Sequence, residues 1–167
     1  MKFLLGSDGH EWAQKSIAQG DIVLLLNDMY TGKVSFVGTP EIKFRMQELM
    51  SGALRKVTLM HYLVDYHGAL MILTKAMTER DVEVEILLDI RPFKSRACVH
   101  SPEVIRCFLR AGAKVFGYSH PKGSYSHFHQ KMMIVDDSIL LIGSANMTGN
   151  SLNNNVEACV ITRAFEV

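Results

Sequence analysis

Phe128-His129-Gln130-Lys131-Met132-Met133-Ile134-Val135-Asp136-Asp137-Ser138-Ile139-Leu140-Leu141-Ile142-Gly143-Ser144-Ala145-Asn146 is the stretch whose reading decides the fold. Two apolar runs, Phe128 to Val135 and Ile139 to Ile142, flank the turn formers Asp136 and Asp137, an order that predicts two strands joined as a hairpin. Val156 to Thr162 reads as a further strand soon after. Alternate side chains of a strand share a face, so His129 and Lys131 are expected to point one way and Gln130 and Met132 the other. Beyond the hairpin, Gly143-Ser144-Ala145-Asn146 places a hydroxyl and an amide two residues apart at a strand end. Both groups can donate hydrogen bonds to phosphate oxygens.

Working upstream, strands and helices alternate. Lys114 to Tyr118 reads as a short strand, and before it Ser101-Pro102-Glu103 marks a helix start with Gly112 where that helix should end. Val82 to Leu88 and Val57 to Val64 have the β-branched, apolar character of buried strands, and Ala69 to Glu79 between them has helical spacing. Thr39-Pro40-Glu41 predicts a helix start, with the helix running to about Gly52, and Val34 to Val37 reads as a strand. Such alternation favours an α/β layered fold around a largely parallel or mixed sheet. Residues 1–33 receive no assignment; their one apolar run, Ile22 to Leu26, has strand character but no clear partner.

The 167 residues, 48% of them hydrophobic, suit one domain with a real core. Eighteen Lys and Arg against seventeen Asp and Glu argue against duplex DNA held by bulk charge, so any nucleic-acid contact has to be local. Cys98, Cys107 and Cys159 fit neither a disulfide framework nor a zinc spacing, and read as buried free thiols. The apolar start at Met1 is cut short by Asp8, His10 and Glu11, and no run approaches a membrane span, so a cytoplasmic location is the default expectation.

The order H-x-K-x-x-x-x-D, then G-S-x-N, then Glu157 resembles the signature of the phospholipase D superfamily, especially its small single-motif members: bacterial nucleases and the mitochondrial and piRNA-pathway enzymes. The resemblance implies an α/β phospholipase D-like layered fold over residues 34–167, with a mixed central sheet flanked by helices and one half-site per chain. It implies a homodimer that completes the active site, with His129 of one chain attacking phosphorus to form a phosphohistidine and His129 of the other protonating the leaving oxygen. Lys131, Ser144, Asn146 and Glu157 complete the catalytic set, and no cofactor or metal is expected. In-line displacement at a phosphodiester needs a neutral imidazole, a protonated one and positive charge over the equatorial oxygens, all of which paired His and Lys residues provide. Glu157 is expected to accept a hydrogen bond from His129 and fix its tautomer. Asp136 joins the set as a supporting residue, because an aspartate at a hairpin turn is commonly structural.

His127 shares the face of His129 if the strand is regular and is a candidate substrate contact, although such a neighbour is more often polar surface. Arg91, Lys94, Arg96, His120 and Lys122 fall in loops after strands and are candidates for a basic rim around a phosphate backbone. His61 and His67 flank a strand end without a metal-site spacing and read as ordinary core or surface histidines. The chain departs from the small members at Met147, where they often carry an aromatic, and in ending soon after the Glu157 strand, where they continue into a helix. The expected activity is a metal-independent phosphodiesterase acting on single-stranded nucleic acid. A phospholipase, such as a cardiolipin hydrolase, is the alternative, and a non-catalytic scaffold of the same fold is the second.

Overall fold

Val57, Leu59 and His61 alternate with Lys56, Thr58 and Met60 along one strand, the first set buried and the second half-buried, so one sheet face is sealed and the other is not. The computed structural model describes residues 23–27, 39–90, 101–118 and 127–163. Its strands are β1 (Val23–Asn27), β2 (Lys56–His61), β3 (Glu83–Asp89), β4 (Lys114–Tyr118), β5 (Lys131–Val135), β6 (Ile139–Gly143) and β7 (Glu157–Arg163). They form a seven-stranded sheet in the order β1-β7-β6-β5-β2-β3-β4. Strands β2, β3 and β4 run parallel, and the other pairings are antiparallel, which makes the sheet mixed.

The helices are α1 (Thr39–Gly52), α2 (His67–Arg80), α3 (Ser101–Arg110) and α4 (Gly149–Asn153). Helix α1 packs on α2 and α4, and α2 on α3. Ile42 and Met46 of α1, Leu73 of α2 and Phe108 of α3 close over Leu59, Ile86 and Met133 of the strands in one apolar core. The other face of β2, β3 and β4 carries the ion pairs Lys56–Glu85, at 2.7 Å, and Lys114–Glu83.

Local chemistry sets the joints. Gly112 has φ +102°, and the N–H groups of Gly112 and Ala113 donate to Leu109 and Phe108 carbonyls, a Schellman ending for α3 that only glycine adopts without strain. Asp136 and Asp137 both have positive φ, 52° and 57°, as a tight hairpin turn demands, and the Ser138 N–H donates to the Val135 carbonyl.

The elements differ from the sequence expectations in four places. The strand expected over Val57 to Val64 ends at His61, and Val64 instead makes an isolated parallel bridge to Met147. The strand expected from Phe128 begins only at Lys131, because β2 has no residues left to pair with the segment before it, apart from one bond from Tyr62 N to Gln130 O at 3.0 Å. The apolar run near Val23 is an edge strand antiparallel to β7. Helix α4 escaped notice because it is a five-residue turn capped by Thr148, whose hydroxyl accepts from the Ser151 N–H at 3.2 Å. The strand expected over Val34 to Val37 lies outside the described residues.

Candidate active site

The C-terminal end of β2, the N-terminal ends of β5 and β7 and the C-terminal end of β6 meet at one end of the sheet, because each antiparallel turn returns the chain to it. His61 pairs with Lys131 across β2 and β5, and Gly143 with Cys159 across β6 and β7. A Cβ at Gly143 would collide with the Ala158 carbonyl oxygen, so glycine is there for close backbone approach rather than for a left-handed turn.

His129 is exposed and precedes β5, whereas Lys131 is 8% exposed and points into the sealed face. The two therefore do not lie side by side on a ladder as their spacing suggested. The Lys131 ammonium turns back and donates to the His129 carbonyl at 3.0 Å. Partial burial, then the charges of Lys131 and His127, hold the His129 imidazole below its usual pKa and so favour the neutral, nucleophilic form near neutrality. Burial also lowers the Lys131 ammonium, and the Glu157 carboxylate works against that shift.

Glu157 does not hold His129 within this chain. One of its oxygens accepts from the Ser144 hydroxyl in a short hydrogen bond, and the other accepts from Asn155 Nδ2 at 3.0 Å. The Ser144 oxygen in turn accepts from the Ala158 N–H at 3.0 Å, so its hydroxyl is committed at both ends and is not a free donor for phosphate. Asn146 differs: its buried Oδ1 has no partner among the described residues. Asp136 lies at the opposite end of β5, about 16 Å along the strand from Lys131 at ordinary strand rise. Its carboxylate accepts the N–H groups of Leu54, Arg55 and Lys56 at 2.8–2.9 Å. Asp136 thus lies at the end of β5 away from Lys131, where it fastens the hairpin to the start of β2.

Three residues that the motif does not contain organise the site. Tyr62 lies with its ring centroid 5.1 Å from that of His129 and 5.9 Å from that of His127, and the Lys131 Nζ is 5.9 Å from the same ring. Asp89, fully buried at the end of β3, accepts the Phe128 N–H at 3.1 Å and so fixes the approach to His129. His61, fully buried, accepts the Met147 N–H through Nδ1, while the Met147 carbonyl takes the N–H groups of Asp65 and Tyr66. A one-sided apolar strand ending in His-Tyr was the available signal, and helical or strand periodicity alone gives such residues no meaning. Arg91, Lys94, Arg96, His120 and Lys122 lie outside the described residues. Of the cysteines, Cys159 is buried with its thiol pushed up to about 11 by burial, which makes it inert, and Cys107 is a half-buried free thiol; Cys98 lies outside the described residues.

Comparison with known proteins gives the same frame. Residues 46–167 match the family model described as cardiolipin synthase, PLD-like domain. Cardiolipin synthase A of Pseudomonas fluorescens is 36% identical over 85 residues, 50% of this chain but 16% of that protein. That of Pseudomonas syringae pv. syringae is 33% identical over 103 residues, 60% of this chain and 20% of that protein. The chain thus spans about a fifth or less of the length of these relatives. Among solved structures, Nuc from Salmonella typhimurium, described as a phospholipase D family member, superposes with TM-score 0.69 at 19% identity, covering 87% of this chain and 85% of that one. NucT from Helicobacter pylori gives 0.67 at 19% identity, with 85% and 84% covered.

Proposed function

The chain belongs to the PLD-like domain family, and from that premise we propose that it is a metal-independent phosphodiesterase whose nucleophile is His129. The observation that carries this reading is the exposed His129 held beside the buried Lys131, whose ammonium donates to the His129 carbonyl. A nitrogen of His129 attacks phosphorus, a P–N bond forms, and the P–O bond to the leaving group breaks. Lys131 supplies positive charge over the non-bridging oxygens, and the Asn146 amide supplies a neutral donor. The leaving oxygen needs a proton from a second, protonated imidazole. One chain carries one such His-Lys set, so His129 of a second copy is assigned this acid role in a homodimer. The same group then takes a proton from water as the P–N bond is hydrolysed.

Single-stranded nucleic acid is the proposed substrate. Phe128, the residue before His129, meets the Tyr118 ring at 5.7 Å, and Tyr118 and Phe116 are 41% and 51% exposed on the edge strand β4. Aromatic rings beside a phosphodiester-cleaving group suit unpaired bases, each of which has a face to stack. A phospholipid reading is favoured by a different observation, the match of half the chain to cardiolipin synthases. No helix among the described residues is long and apolar enough to cross a membrane.

Hydrolysis of labelled single-stranded DNA, RNA and cardiolipin in EDTA, with the His129→Ala variant alongside, tests the reading. Expected is cleavage of nucleic acid that persists in EDTA and vanishes in the variant, with an acid-labile phosphate on His129 trapped early in turnover. Cardiolipin cleavage alone would transfer the mechanism to lipid, and no turnover of any substrate would leave a binding scaffold.

A further inference from the structure

We propose that Tyr62 is a positioning residue that holds the His129 imidazole and the Lys131 ammonium in their working arrangement, an inference that rests on His129 being the nucleophile. Its ring meets both members of the H-x-K pair: it packs on the His129 ring at an interplanar angle of 55° and lies beneath the Lys131 Nζ. The edge-on contact with His127, at 84°, closes the ring's third side. Its backbone is fixed as well, because Tyr62 N donates to the carbonyl of Gln130, the residue between His129 and Lys131. Among the described residues no hydrogen bond engages the imidazole nitrogens of this exposed histidine, so the ring contact with Tyr62 is an anchor the hydrogen bonds do not supply.

The neighbouring residue makes the ring's placement rigid. His61 faces the sealed side and holds the Met147 N–H, so the backbone just before Tyr62 is tied to the loop that carries Ser144 and Asn146. Met147 itself is turned wholly into the core and cannot present its side chain to the site. The end of β2 therefore links the H-x-K segment, through Tyr62, to the G-S-x-N loop, through His61. A ring that fixes the nucleophile governs how often the imidazole occupies the attack geometry, and misplacement on the scale of 1 Å lowers turnover by about a hundredfold.

The experiment compares wild type, Tyr62→Phe and two ringless variants, Tyr62→Met and Tyr62→Leu, because Tyr62 is half-buried and one replacement could disturb folding. Two quantities are read: the order parameter of the His129 Cε1–H bond by NMR relaxation, and kcat and KM on the cleaved substrate. Expected is a lower order parameter and a kcat about ten- to a hundredfold down in the folded ringless variants, with KM within about twofold and both values restored in Tyr62→Phe. An unchanged order parameter in a folded ringless variant would overturn the proposal. So would a raised KM at constant kcat, which would make Tyr62 a substrate-stacking residue. If wild type cleaves nothing, the reading of His129 as nucleophile fails, and the proposal falls with it even where the order parameter shows that the ring orders His129.

Discussion

The Nδ1 atom of His61 accepts the backbone N–H of Met147 at 3.2 Å, deep in the protein, and this one bond fixes the state of the ring. With Nδ1 as acceptor, a neutral His61 carries its proton on Nε2, which is buried and has no partner among the described residues. Protonating Nδ1 would break the bond and place a cation beside Lys131 without water. Burial first, and the Lys131 charge second, lower its pKa to about 3.

A depressed histidine pKa makes stability depend on acid in a defined direction. The unfolded chain binds this proton near the ordinary pKa of about 6.5 and the folded chain only near 3, so stability from His61 is complete above about 6.5 and falls as pH drops through the interval. At pH 4 the loss amounts to roughly 3 kcal/mol. Urea midpoints at pH 7 and pH 4 for wild type and His61→Asn check this. The amide keeps an acceptor but does not titrate, so the variant should lose distinctly less stability on acidification.

Asp136 separates the structural half of the motif from the chemical half. Burial alone would raise its pKa, but the N–H donors of Lys56, Leu54 and Arg55 outweigh that and lower it, so its stabilising effect is present at neutrality and is lost in strong acid. Asp136→Ala should destabilise the fold by about 2–3 kcal/mol in chemical denaturation, because three donors lose a charged acceptor. Its kcat per folded molecule should stay near that of wild type. A large fall in kcat with unchanged stability would return Asp136 to the catalytic set.

Most of the strands were legible because β2, β3, β5 and β6 are short apolar runs between turn formers, and because glycine and paired aspartates mark places where the backbone must bend. What escaped was anything set by contact across the sheet. Whether His129 lies on the β5 ladder depends on where β2 stops, and which partner Glu157 takes depends on how closely β6 and β7 approach at Gly143. The resemblance assigned Glu157 to His129, and the packing shows that it holds Ser144. His61 and Tyr62 had no motif to announce them, since their roles arise from residues about seventy to ninety positions away.

Glu157 is 8% exposed and affects Lys131 by charge and Ser144 by hydrogen bonding, and a single substitution separates the two. Glu157→Gln keeps an oxygen to accept the Ser144 hydroxyl and removes the charge. Without that charge the Lys131 pKa moves further down, so the titration of its ammonium, followed by NMR, should shift to lower pH, with kcat at neutrality changed less than in Glu157→Ala. An ammonium titration that does not move would show that Lys131 does not feel the Glu157 charge.

His129 titrates below the ordinary histidine range because of partial burial, the Lys131 charge and then His127. The neutral form is the nucleophile, so the acid limb of kcat/KM should lie below about pH 6.5, as a limb of the coupled pair rather than of one imidazole. Two substitutions then have opposite value as tests. Lys131→Met removes the larger neighbouring charge and should raise that limb, but it also costs on the order of a hundredfold or more in rate by stripping charge from the transition state. His127→Gln removes the smaller charge while leaving Lys131 in place, so the limb should rise less than in Lys131→Met, with most of the rate retained. If the limb stays where it is in His127→Gln and moves in Lys131→Met, the ammonium is the one of these two charges that acts on His129 beside burial, and His127 acts only through its contact with Tyr62.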